Sequence, residues 1–528
     1  MKNYKNCILI IIFLLIPILA ISGVMFLNGF SIKIIIKELL FNNAILFFIL
    51  LIINLINQKT LKNITGLILL VPFYSILFIK IFTLTNFFNF IDNAVLYTVF
   101  ETNYNEATNF LNSYSKWYYV LIAAAYICAL ILLIFKVNTN FRYKHTYYIE
   151  ITVLICVAIS YRFYERSLSL LVFNTYLEYK TFSTEISKDI SKSTSKYFTN
   201  VINNDDEALY VVIIGESTTR NNMGIYGYYR DTNPNLNKIK IELHLFKDVI
   251  SPHIQTILSL DKILSMGDYH QPENNKLGTV IQLANQAGFE TYWLSNQKPI
   301  GAYESLVSQY AKASKNRFYV SNIYEYTTKY DEILLPKLKE KINQKASKKM
   351  IFLHLEGSHI SYHKKYPESF NFFTDKPQTQ FKTDEAYHII NEYDNSIRYN
   401  DYVVSQIIDM VKKANKNSYV VYFSDHGEEV FKDYEYFGHH ESIGSNAMFE
   451  IPFIVWTSDK YNEKSTINFD NQLERKYNLE DFIYSFSDLS RIKFDQFQPT
   501  KSIFNTDFQF KERIILKDVD YDERIKEK

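Results

Sequence analysis

Residues 208–214 read ALYVVII and lead directly into Gly215, Glu216 and Ser217. An unbroken apolar run rich in β-branched residues is typical of a strand buried on both faces of a parallel sheet. Three further runs have the same form: 290–294 (ETYWL), 350–355 (MIFLHL) and 419–423 (YVVYF). Because longer amphipathic stretches separate these runs, we predict an α/β domain with a mostly parallel central sheet flanked by helices.

Each of the four runs is followed by polar residues that could bind a metal ion or a phosphate group. The four segments are Gly215-Glu216-Ser217, Ser295-Asn296-Gln297, Glu356-Gly357-Ser358-His359 and Ser424-Asp425-His426-Gly427-Glu428. In open α/β sheets, ligands bind beyond the carboxyl ends of the strands. We therefore expect these segments to meet at one edge of the sheet and to form the functional site.

The residues at these strand ends leave alternatives open when each is taken alone. Glu216 could bind a metal ion or cap the following helix. Asp425 and His426 offer an oxygen and a nitrogen ligand to a divalent metal, but they could equally form a salt-bridged loop pair.

The histidines are a second open question. His359 and His439 are candidate ligands, although a loop histidine is more often only solvated. His354 is close to His359 in the sequence, and His440 is next to His439. Spacing alone does not decide which histidine of each pair is the functional one.

A group-transfer site of this kind also needs a nucleophile. The segment 251–256 reads SPHIQT and offers two hydroxyl groups, on Ser251 and Thr256. A hydroxyl is a weak nucleophile at neutral pH unless a metal ion or a base activates it. Thr256 could instead be a helix N-cap, and the sequence does not decide between these roles.

Nearly all long apolar runs lie before residue 162. A helix needs about 20 mostly apolar residues to cross a bilayer, and we predict spans over residues 7–27, 39–56, 64–82, 117–135 and 147–161. The fifth is the weakest, because it is short and carries Glu150. We therefore predict a transmembrane domain over 1–161, an interfacial segment and polar linker over 162–204, and an external catalytic domain over 205–528.

The distribution of basic residues predicts the orientation of these spans. The N-terminus and the loops on its side contain Lys2, Lys5, Lys59, Lys62, Lys136, Arg142 and Lys144, against Lys33, Lys37, Lys80 and Lys116 in the other loops. This excess favours a cytoplasmic N-terminus, and five spans then place the catalytic domain outside. With five spans, Arg162 and Arg166 lie on the external side, where the rule disfavours basic residues. The alternative is four spans with a cytoplasmic C-terminal domain.

The composition excludes several classes of protein. Lys+Arg 57 against Asp+Glu 56 gives a formal net charge of +1, which argues against a nucleic-acid-binding protein. The three cysteines, Cys7, Cys128 and Cys156, all lie in apolar runs. The polar half therefore has no disulfide framework, no cysteine nucleophile and no thiolate metal site.

Together these motifs resemble the phosphoethanolamine transferases of Gram-negative inner membranes, a family with the alkaline phosphatase and sulfatase-like fold. The matching segments are 214–220 (IGESTTR), 226–232 (YGYYRDT) with Pro234, 251–256, 357–359 (GSH), 424–428 (SDHGE) and 436–439 (YFGH). Many family members have a Ser-Cys-Gly-Thr-x-Thr nucleophile loop. Here the last threonine is retained, whereas the cysteine and the glycine are not.

The resemblance implies roles for particular residues. It implies one zinc ion with four ligands: Glu216, Thr256, Asp425 and His426. Mn²⁺ would suit the same oxygen and nitrogen ligands. It makes Thr256 the nucleophile as well, and places five residues at the phosphoryl group, a second metal ion or the substrate head group: His359, His439, Asn296, Gln297 and Lys298.

The same resemblance implies a reaction and its setting. Phosphoethanolamine would pass from phosphatidylethanolamine to Thr256 and then to lipid A or another envelope glycan. The enzyme would be a multi-pass inner-membrane protein with its catalytic domain in the periplasm, and we expect a monomer. Three alternatives remain: a glycerol-phosphate transferase of the lipoteichoic-acid synthase type that uses phosphatidylglycerol, a sulfatase, and a non-catalytic membrane-anchored binding module. A sulfatase would need a Cys/Ser-x-Pro-x-Arg segment, which the sequence lacks.

Overall fold

The structure is a computed structural model that describes residues 2–102, 104–136, 146–297, 306–320, 329–441, 443–516 and 518–526. Its Cα positions divide into two compact units. The first contains Met1–Tyr97 and Phe110–Glu178, and the second contains Thr98–Asn109 and Tyr179–Lys528. The division after Glu178 falls inside the predicted interfacial segment and linker, residues 162–204, and Thr98–Asn109 is also assigned to the second unit.

Helices make up nearly all of the first unit and surround the sheet of the second. In the described residues they are α1 (Lys2–Leu27), α2 (Ile32–Leu55), α3 (Lys59–Phe87), α4 (Asn93–Glu101), α5 (Tyr104–Tyr114), α6 (Trp117–Lys136), α7 (Thr146–Arg162), α8 (Leu168–Ile190), α9 (Pro234–Lys238), α10 (Thr256–Ile263), α11 (Val280–Gln286), α12 (Leu306–Lys312), α13 (Leu334–Asn343), α14 (Asp384–Lys413), α15 (Asp459–Asn462), α16 (Phe482–Leu489) and α17 (Tyr521–Lys526).

The strands of the described residues all lie in the second unit. They are β1 (Ala208–Gly215), β2 (Leu243–Phe246), β3 (Asp248–Ile250), β4 (Glu290–Ser295), β5 (Asn316–Tyr319), β6 (Lys348–His354), β7 (Ser418–Ser424), β8 (Glu429–Val430), β9 (Phe437–Gly438), β10 (Phe453–Thr457), β11 (Lys476–Asn478), β12 (Ile514–Ile515) and β13 (Val519–Asp520). Seven of them form one sheet in the order β2-β10-β7-β1-β6-β4-β5. The β10 strand runs antiparallel to both of its neighbours, and the other pairs are parallel. The predicted α/β fold with a mostly parallel sheet is confirmed.

The central strand β1 explains why its sequence is apolar without interruption. All eight of its residues are buried. Tyr210, Val212 and Ile214 pack into one hydrophobic core, whereas the alternating residues 209, 211 and 213 pack into another on the opposite face. Because both faces are covered, no position along the strand can be polar until it leaves the sheet.

The four strands predicted from the sequence are neighbours in this sheet, in the order β7-β1-β6-β4. They are mutually parallel, so their carboxyl ends lie along one edge. The polar segments that follow them are therefore brought to the same place, as expected from the sequence.

The first unit contains four helical segments long and apolar enough to cross a membrane, within the part of the chain that the structure describes. They are Leu9–Leu27, Ile32–Leu55, Lys59–Phe87 and Trp117–Lys136. The fifth predicted span, residues 147–161, coincides with α7, whose 17 residues extend about 25 Å at 1.5 Å per residue. That is shorter than a typical hydrocarbon core of about 30 Å, and the fifth span stays a prediction.

Two of the helices extend beyond their predicted spans. The α2 helix begins at Ile32 rather than at residue 39, and α3 covers Lys59–Phe87 rather than residues 64–82. The prediction stopped at charged residues, but two of these neutralise each other: Lys80 Nζ lies 2.6 Å from Glu38 Oε1, and both side chains are buried.

The segment expected to be a polar linker, residues 183–204, is not a free connection. Its first part continues α8 as far as Ile190. Later, Gln282 Nε2 donates hydrogen bonds to the carbonyl oxygens of Asp189 and Lys192, and Phe198 is buried in the core of the second unit. The lysine-rich composition gave no indication that a few apolar side chains and backbone groups attach this segment to the second unit.

Candidate active site

The site begins where β1 and β7 end side by side. Gly215 pairs with Ser424 in the sheet, and the backbone N–H of Asp425 donates to the carbonyl oxygen of Gly215 at 3.1 Å. The next residue of each strand therefore projects from the same edge. This places Glu216 beside Asp425 and His426, although 208 residues separate the first two in the sequence.

The predicted nucleophile reaches the same point from α10. Thr256 is the first residue of this helix, and Gln255 holds the cap position, so the N-cap role considered for Thr256 is wrong. Its hydroxyl lies 3.2 Å from each carboxylate oxygen of Glu216 and 3.4 Å from His426 Nε2. His426 Nε2 lies 3.3 Å from Glu216 Oε1 and 3.5 Å from Asp425 Oδ2. The structure thus brings all four expected ligands together.

The geometry of His426 suits a metal ligand. Its Nδ1 lies 2.8 Å from the carbonyl oxygen of Gly427 and donates to it. That contact fixes the ring and turns Nε2 toward Glu216, Asp425 and Thr256. Fixing one imidazole nitrogen with a backbone carbonyl is a common way to orient the other toward a metal ion.

The arrangement of negative charge also calls for a cation. Glu216, Asp425 and His426 are buried, and their ligand atoms lie within 4.8 Å of one another. Asp425 Oδ1 accepts hydrogen bonds from the N–H groups of Ser217 and His426, but Oδ2 is buried without a partner. An uncompensated buried carboxylate oxygen is costly, so these residues fit a divalent metal ion.

The pKa shifts of Asp425, His426 and Glu216 also indicate that this cluster requires positive charge. Burial, and then repulsion by Glu216, raises the pKa of Asp425 to about 8. Despite burial, Asp425 and Glu216 raise the pKa of His426 to about 10. Burial opposes the ionisation of Glu216, but the hydrogen bond and charge of His426 hold the pKa of Glu216 well below its usual range. Without a metal ion, protons have to supply the positive charge that this cluster requires.

His439 lies beside His426, and the two ring centroids are 4.2 Å apart. Its Nδ1 is 2.7 Å from Glu428 Oε2, while the other oxygen of Glu428 accepts a 2.6 Å hydrogen bond from the Tyr362 hydroxyl. Glu428 is fully buried. Its carboxylate therefore binds Nδ1 of His439 and fixes the orientation of the ring.

Sequence reasoning assigned no role to Glu428. The available signal was its place at the end of the SDHGE segment, two residues after a predicted ligand. With His426 and His439 it also forms a second group of ligand atoms close enough to hold a metal ion.

His359 is half-buried at the same edge, with its ring centroid 6.4 Å from that of His439. Burial holds the pKa of His359 below its ordinary value. His354, the neighbour that spacing did not exclude, instead packs against Trp293 beneath the sheet edge. His440 is buried, and the metal-competent groups of the described residues include His439 but not His440.

Ser251, the alternative nucleophile, is fully buried. Its hydroxyl oxygen contacts the carbonyl oxygens of His253 and Asp425 and the hydroxyl of Ser259. These contacts hold the loop that carries Thr256, and they leave Ser251 no access to a substrate.

The residues expected at the head group have different surroundings. Gln297 Nε2 donates to Glu216 Oε2 at 3.0 Å and to the carbonyl oxygen of Leu355 at 2.9 Å. Gln297 therefore positions the carboxylate of Glu216, one of the four expected metal ligands. Asn296 is buried and donates to Asp331 Oδ1 and to the carbonyl oxygen of Lys329. Lys298 lies outside the described residues.

The absence of a side chain at Gly357 leaves space for the backbone of Glu216. The φ angle of Gly357 is +51°, and a Cβ atom there would lie 2.6 Å from the carbonyl oxygen and 2.8 Å from the nitrogen of Glu216. The adjacent N–H of Ser358 donates to the Glu216 carbonyl oxygen at 2.9 Å. A side chain at position 357 would therefore displace the backbone of a ligand.

Gly357→Ala is expected to lower turnover by about 10²-fold, because small displacements of reacting groups are costly. The measurement is steady-state turnover together with metal content. Gly227→Ala is the matched control, since Gly227 also has a positive φ of +106° but nothing within 4 Å of a Cβ atom. Equal losses in the two variants would mean that backbone strain, rather than contact with Glu216, causes the effect.

Comparison with known proteins agrees with this geometry. A model of the sulfatase family matches residues 208–492. The chain is 30% identical over 451 residues to the phosphoethanolamine transferase EptC of Escherichia coli K12, covering 79% of this chain and 78% of the relative. The structure of the C-terminal periplasmic domain of E. coli EptC in complex with Zn matches 61% of this chain and 93% of that domain, with 32% identity and a TM-score of 0.58.

The integral membrane protein lipooligosaccharide phosphoethanolamine transferase A of Neisseria meningitidis has the same fold over most of its length. It matches 92% of this chain and 95% of its own, with 20% identity and a TM-score of 0.68. The chain therefore belongs to the phosphoethanolamine transferases, a family of membrane enzymes with a sulfatase-like domain.

Proposed function

We propose that the protein transfers phosphoethanolamine from phosphatidylethanolamine to lipid A or another envelope glycan, with Thr256 as the covalent carrier and zinc as the bound metal ion. The observation that carries this proposal is the contact of the Thr256 hydroxyl with both oxygens of Glu216 and with His426 Nε2. A structural threonine would have no need of a buried carboxylate, an imidazole and an unpartnered aspartate oxygen around it.

The first half of the reaction forms a bond between Thr256 Oγ1 and phosphorus and breaks the bond from phosphorus to the diacylglycerol oxygen. A zinc ion held by Glu216, Asp425, His426 and Thr256 would lower the pKa of the hydroxyl and offset the negative charge of the phosphodiester. Thr256 would release its hydroxyl proton to solvent, and the departing diacylglycerol oxygen gains a proton from a side chain of the site. We assign that donation to His439, because Glu428 binds its Nδ1 and its ring centroid lies 4.2 Å from that of His426.

The second half reverses the roles. An oxygen of the acceptor attacks phosphorus, the bond between phosphorus and Thr256 Oγ1 breaks, and Thr256 Oγ1 takes a proton from solvent. His439, having given up its proton, accepts one from the acceptor hydroxyl. This sequence predicts ping-pong kinetics with a phosphoethanolamine-modified protein as the intermediate.

The membrane unit fits the proposed substrates. A lipid donor must be reached from a bilayer surface, and the four apolar helical segments would anchor the protein to the membrane. We place the protein in the inner membrane with its catalytic domain in the periplasm, on the distribution of basic residues in the loops. The zinc-bound EptC domain supports zinc as the metal ion, since its sequence is 32% identical to the matching part of this chain.

Glu216→Ala is expected to remove phosphoethanolamine adducts from the envelope of cells that otherwise lack this activity. The measurement is mass spectrometry of lipid A and of the other envelope glycans, with and without the wild-type protein. The control is Glu340→Ala, which removes an exposed carboxylate on α13 and should leave the adducts unchanged. Adducts that persist in membranes containing the Glu216 variant at wild-type level would contradict the proposed site.

Labelled donor lipids distinguish the proposed reaction from that of a glycerol-phosphate transferase. With labelled phosphatidylethanolamine, the wild-type protein should gain the mass of phosphoethanolamine before acceptor is added. With labelled phosphatidylglycerol it should gain nothing. The reverse result would assign the protein to the glycerol-phosphate class.

A further inference from the structure

One end of the membrane unit collects basic residues that the proposed reaction does not use. The beginning of α2, the last part of α3 and the end of α7 meet there. Lys80 of α3 pairs with Glu38 of α2 at 2.6 Å, and its Nζ donates to the carbonyl oxygen of Arg166 at 2.8 Å. Arg166 lies in the 3-10 turn after α7, just before the chain continues into α8.

Four cations lie on these elements: Lys33, Lys37, Arg162 and Arg166. We call them the outer basic cluster. Lys37 Nζ and the Arg162 guanidinium carbon lie 5.9 Å and 5.7 Å from the centroid of the Phe163 ring, so one aromatic ring brings together cations from two helices. Lys33 precedes Lys37 by one helical turn and therefore lies on the same face of α2.

Two carboxylates are adjacent in the sequence to members of the outer basic cluster: Glu38 next to Lys37, and Glu165 next to Arg166. Glu38 Oε1 accepts hydrogen bonds from Lys80 Nζ and Asn42 Nδ2, and the buried Oε2 has no hydrogen-bond partner. Within the described part of the chain, no carboxylate forms an ion pair with any of the four cations. Cations held close together repel each other unless an anion lies between them.

Lys33 and Lys37 lie near one end of the candidate membrane span Ile32–Leu55. Lys37 is five residues into α2, about 7.5 Å along the helix from Ile32, which is close to the thickness of one interfacial layer of a bilayer. Beside it, α2 exposes an apolar stripe at helical spacing, formed by Ile32, Ile36 and Leu40, which are 69%, 48% and 41% exposed. This stripe offers a surface for acyl chains next to the positive charge.

The position of the cluster is also unusual for a membrane protein. In the predicted orientation these cations are on the external side, where lysine and arginine are disfavoured. Arg162 and Arg166 were the residues that fitted this rule least well. A bound anion at the external surface would account for their presence.

We propose that the outer basic cluster binds the phosphate group of an anionic phospholipid, with the lipid's acyl chains along the exposed stripe of α2. The guanidinium of Arg162 provides the fork that matches phosphate oxygens, and Lys37 provides a second positive charge from the other side of Phe163. This site is separate from the donor site at Thr256 and does not depend on which lipid the enzyme consumes.

The test is native mass spectrometry of the full-length protein in detergent, titrated separately with phosphatidylglycerol, phosphatidylethanolamine and phosphatidylcholine. The wild-type protein should retain phosphatidylglycerol preferentially. The double variant Lys37→Gln/Arg162→Gln should bind it about thirty-fold more weakly, because each cation near a membrane surface contributes about a factor of five. Binding by the wild-type protein should also weaken with added salt.

Two controls make the result specific. Lys59→Gln/Lys136→Gln removes two exposed cations from the start of α3 and the end of α6, and it should leave phosphatidylglycerol binding unchanged. Lys37→Arg keeps the charge and should retain binding, which separates loss of charge from misfolding. Equal binding by the Gln double variant and the wild type would overturn the proposal, and so would a stronger preference for phosphatidylethanolamine at the same residues.

Discussion

Purified Thr256→Ala protein is expected to lose transfer activity by at least about 10⁴-fold, the scale seen when the nucleophile of a covalent mechanism is removed. The hydroxyl of Thr256 is the group that touches Glu216 and His426 together. Without it the donor lipid has no atom to attack its phosphorus. The measurement is single-turnover transfer from labelled phosphatidylethanolamine, combined with the intact mass of the protein.

The matched variants are Thr256→Ser and Ser251→Ala. Serine keeps an oxygen at the same position and should keep measurable turnover and the covalent adduct. Ser251→Ala should still form the adduct, although loss of its buried hydrogen bonds should lower the protein's stability. A phosphoethanolamine adduct on the Thr256→Ala protein would show that another residue is the nucleophile.

Asp425→Asn is expected to reverse the effect of metal ions on stability. In metal-free protein, Asp425 places an unpartnered buried oxygen near Glu216 and His426. Asparagine keeps the oxygen that accepts from Ser217 and places an NH₂ donor where the other oxygen was. We expect the metal-free variant to be more stable than the metal-free wild type by about 1–3 kcal/mol, the cost of leaving such a group unsatisfied.

Zinc should instead make the wild-type protein more stable than the Asp425→Asn variant. The wild-type protein should gain about 4 kcal/mol when free zinc exceeds Kd by a thousand-fold, whereas the variant should gain little and should have no activity. The measurement is thermal unfolding of the full-length protein after chelation and after zinc is restored. An Asp425→Asn protein that unfolds below the wild type in chelator would contradict this account of the charge cluster.

Asp394→Asn is the matched control for a buried aspartate that is already satisfied. Asp394 accepts hydrogen bonds from Asn222, Tyr228 and Arg230. Its substitution removes the partner of a buried guanidinium, so it should destabilise the protein equally with and without zinc.

The positions of the ligands could be read from the sequence because the strands themselves are unambiguous. Glu216 directly follows the eight buried residues of β1, and Asp425 directly follows the seven buried residues of β7, so each lies at the carboxyl end of its strand. The parallel arrangement then guarantees that the two lie at one edge. This inference did not require knowing that β1 and β7 are adjacent strands in the sheet.

Contacts made by side chains from distant segments could not be read in this way. The support that Glu428 gives to His439, and that Gln297 gives to Glu216, depends on how the loops fold after they leave the sheet. The ends of α2 and α3 were misjudged for a related reason. A lone charge in an apolar run indicates a boundary, but a pair such as Glu38 and Lys80 can be buried together, and the pairing joins residues 42 positions apart.

The central place of β1 in the sheet also determines when the protein can acquire its metal ion. Its neighbours β6 and β7 begin more than a hundred residues later in the chain, so a polypeptide emerging from the translocation machinery carries Glu216 long before Asp425 and His426 arrive. Ion capture must then wait until almost the entire catalytic unit has been synthesised and its long-range strand pairs have formed. A retained ion would accordingly mark a chain that has completed its folding, and loss of the metal ion should coincide with the cooperative unfolding of the sheet.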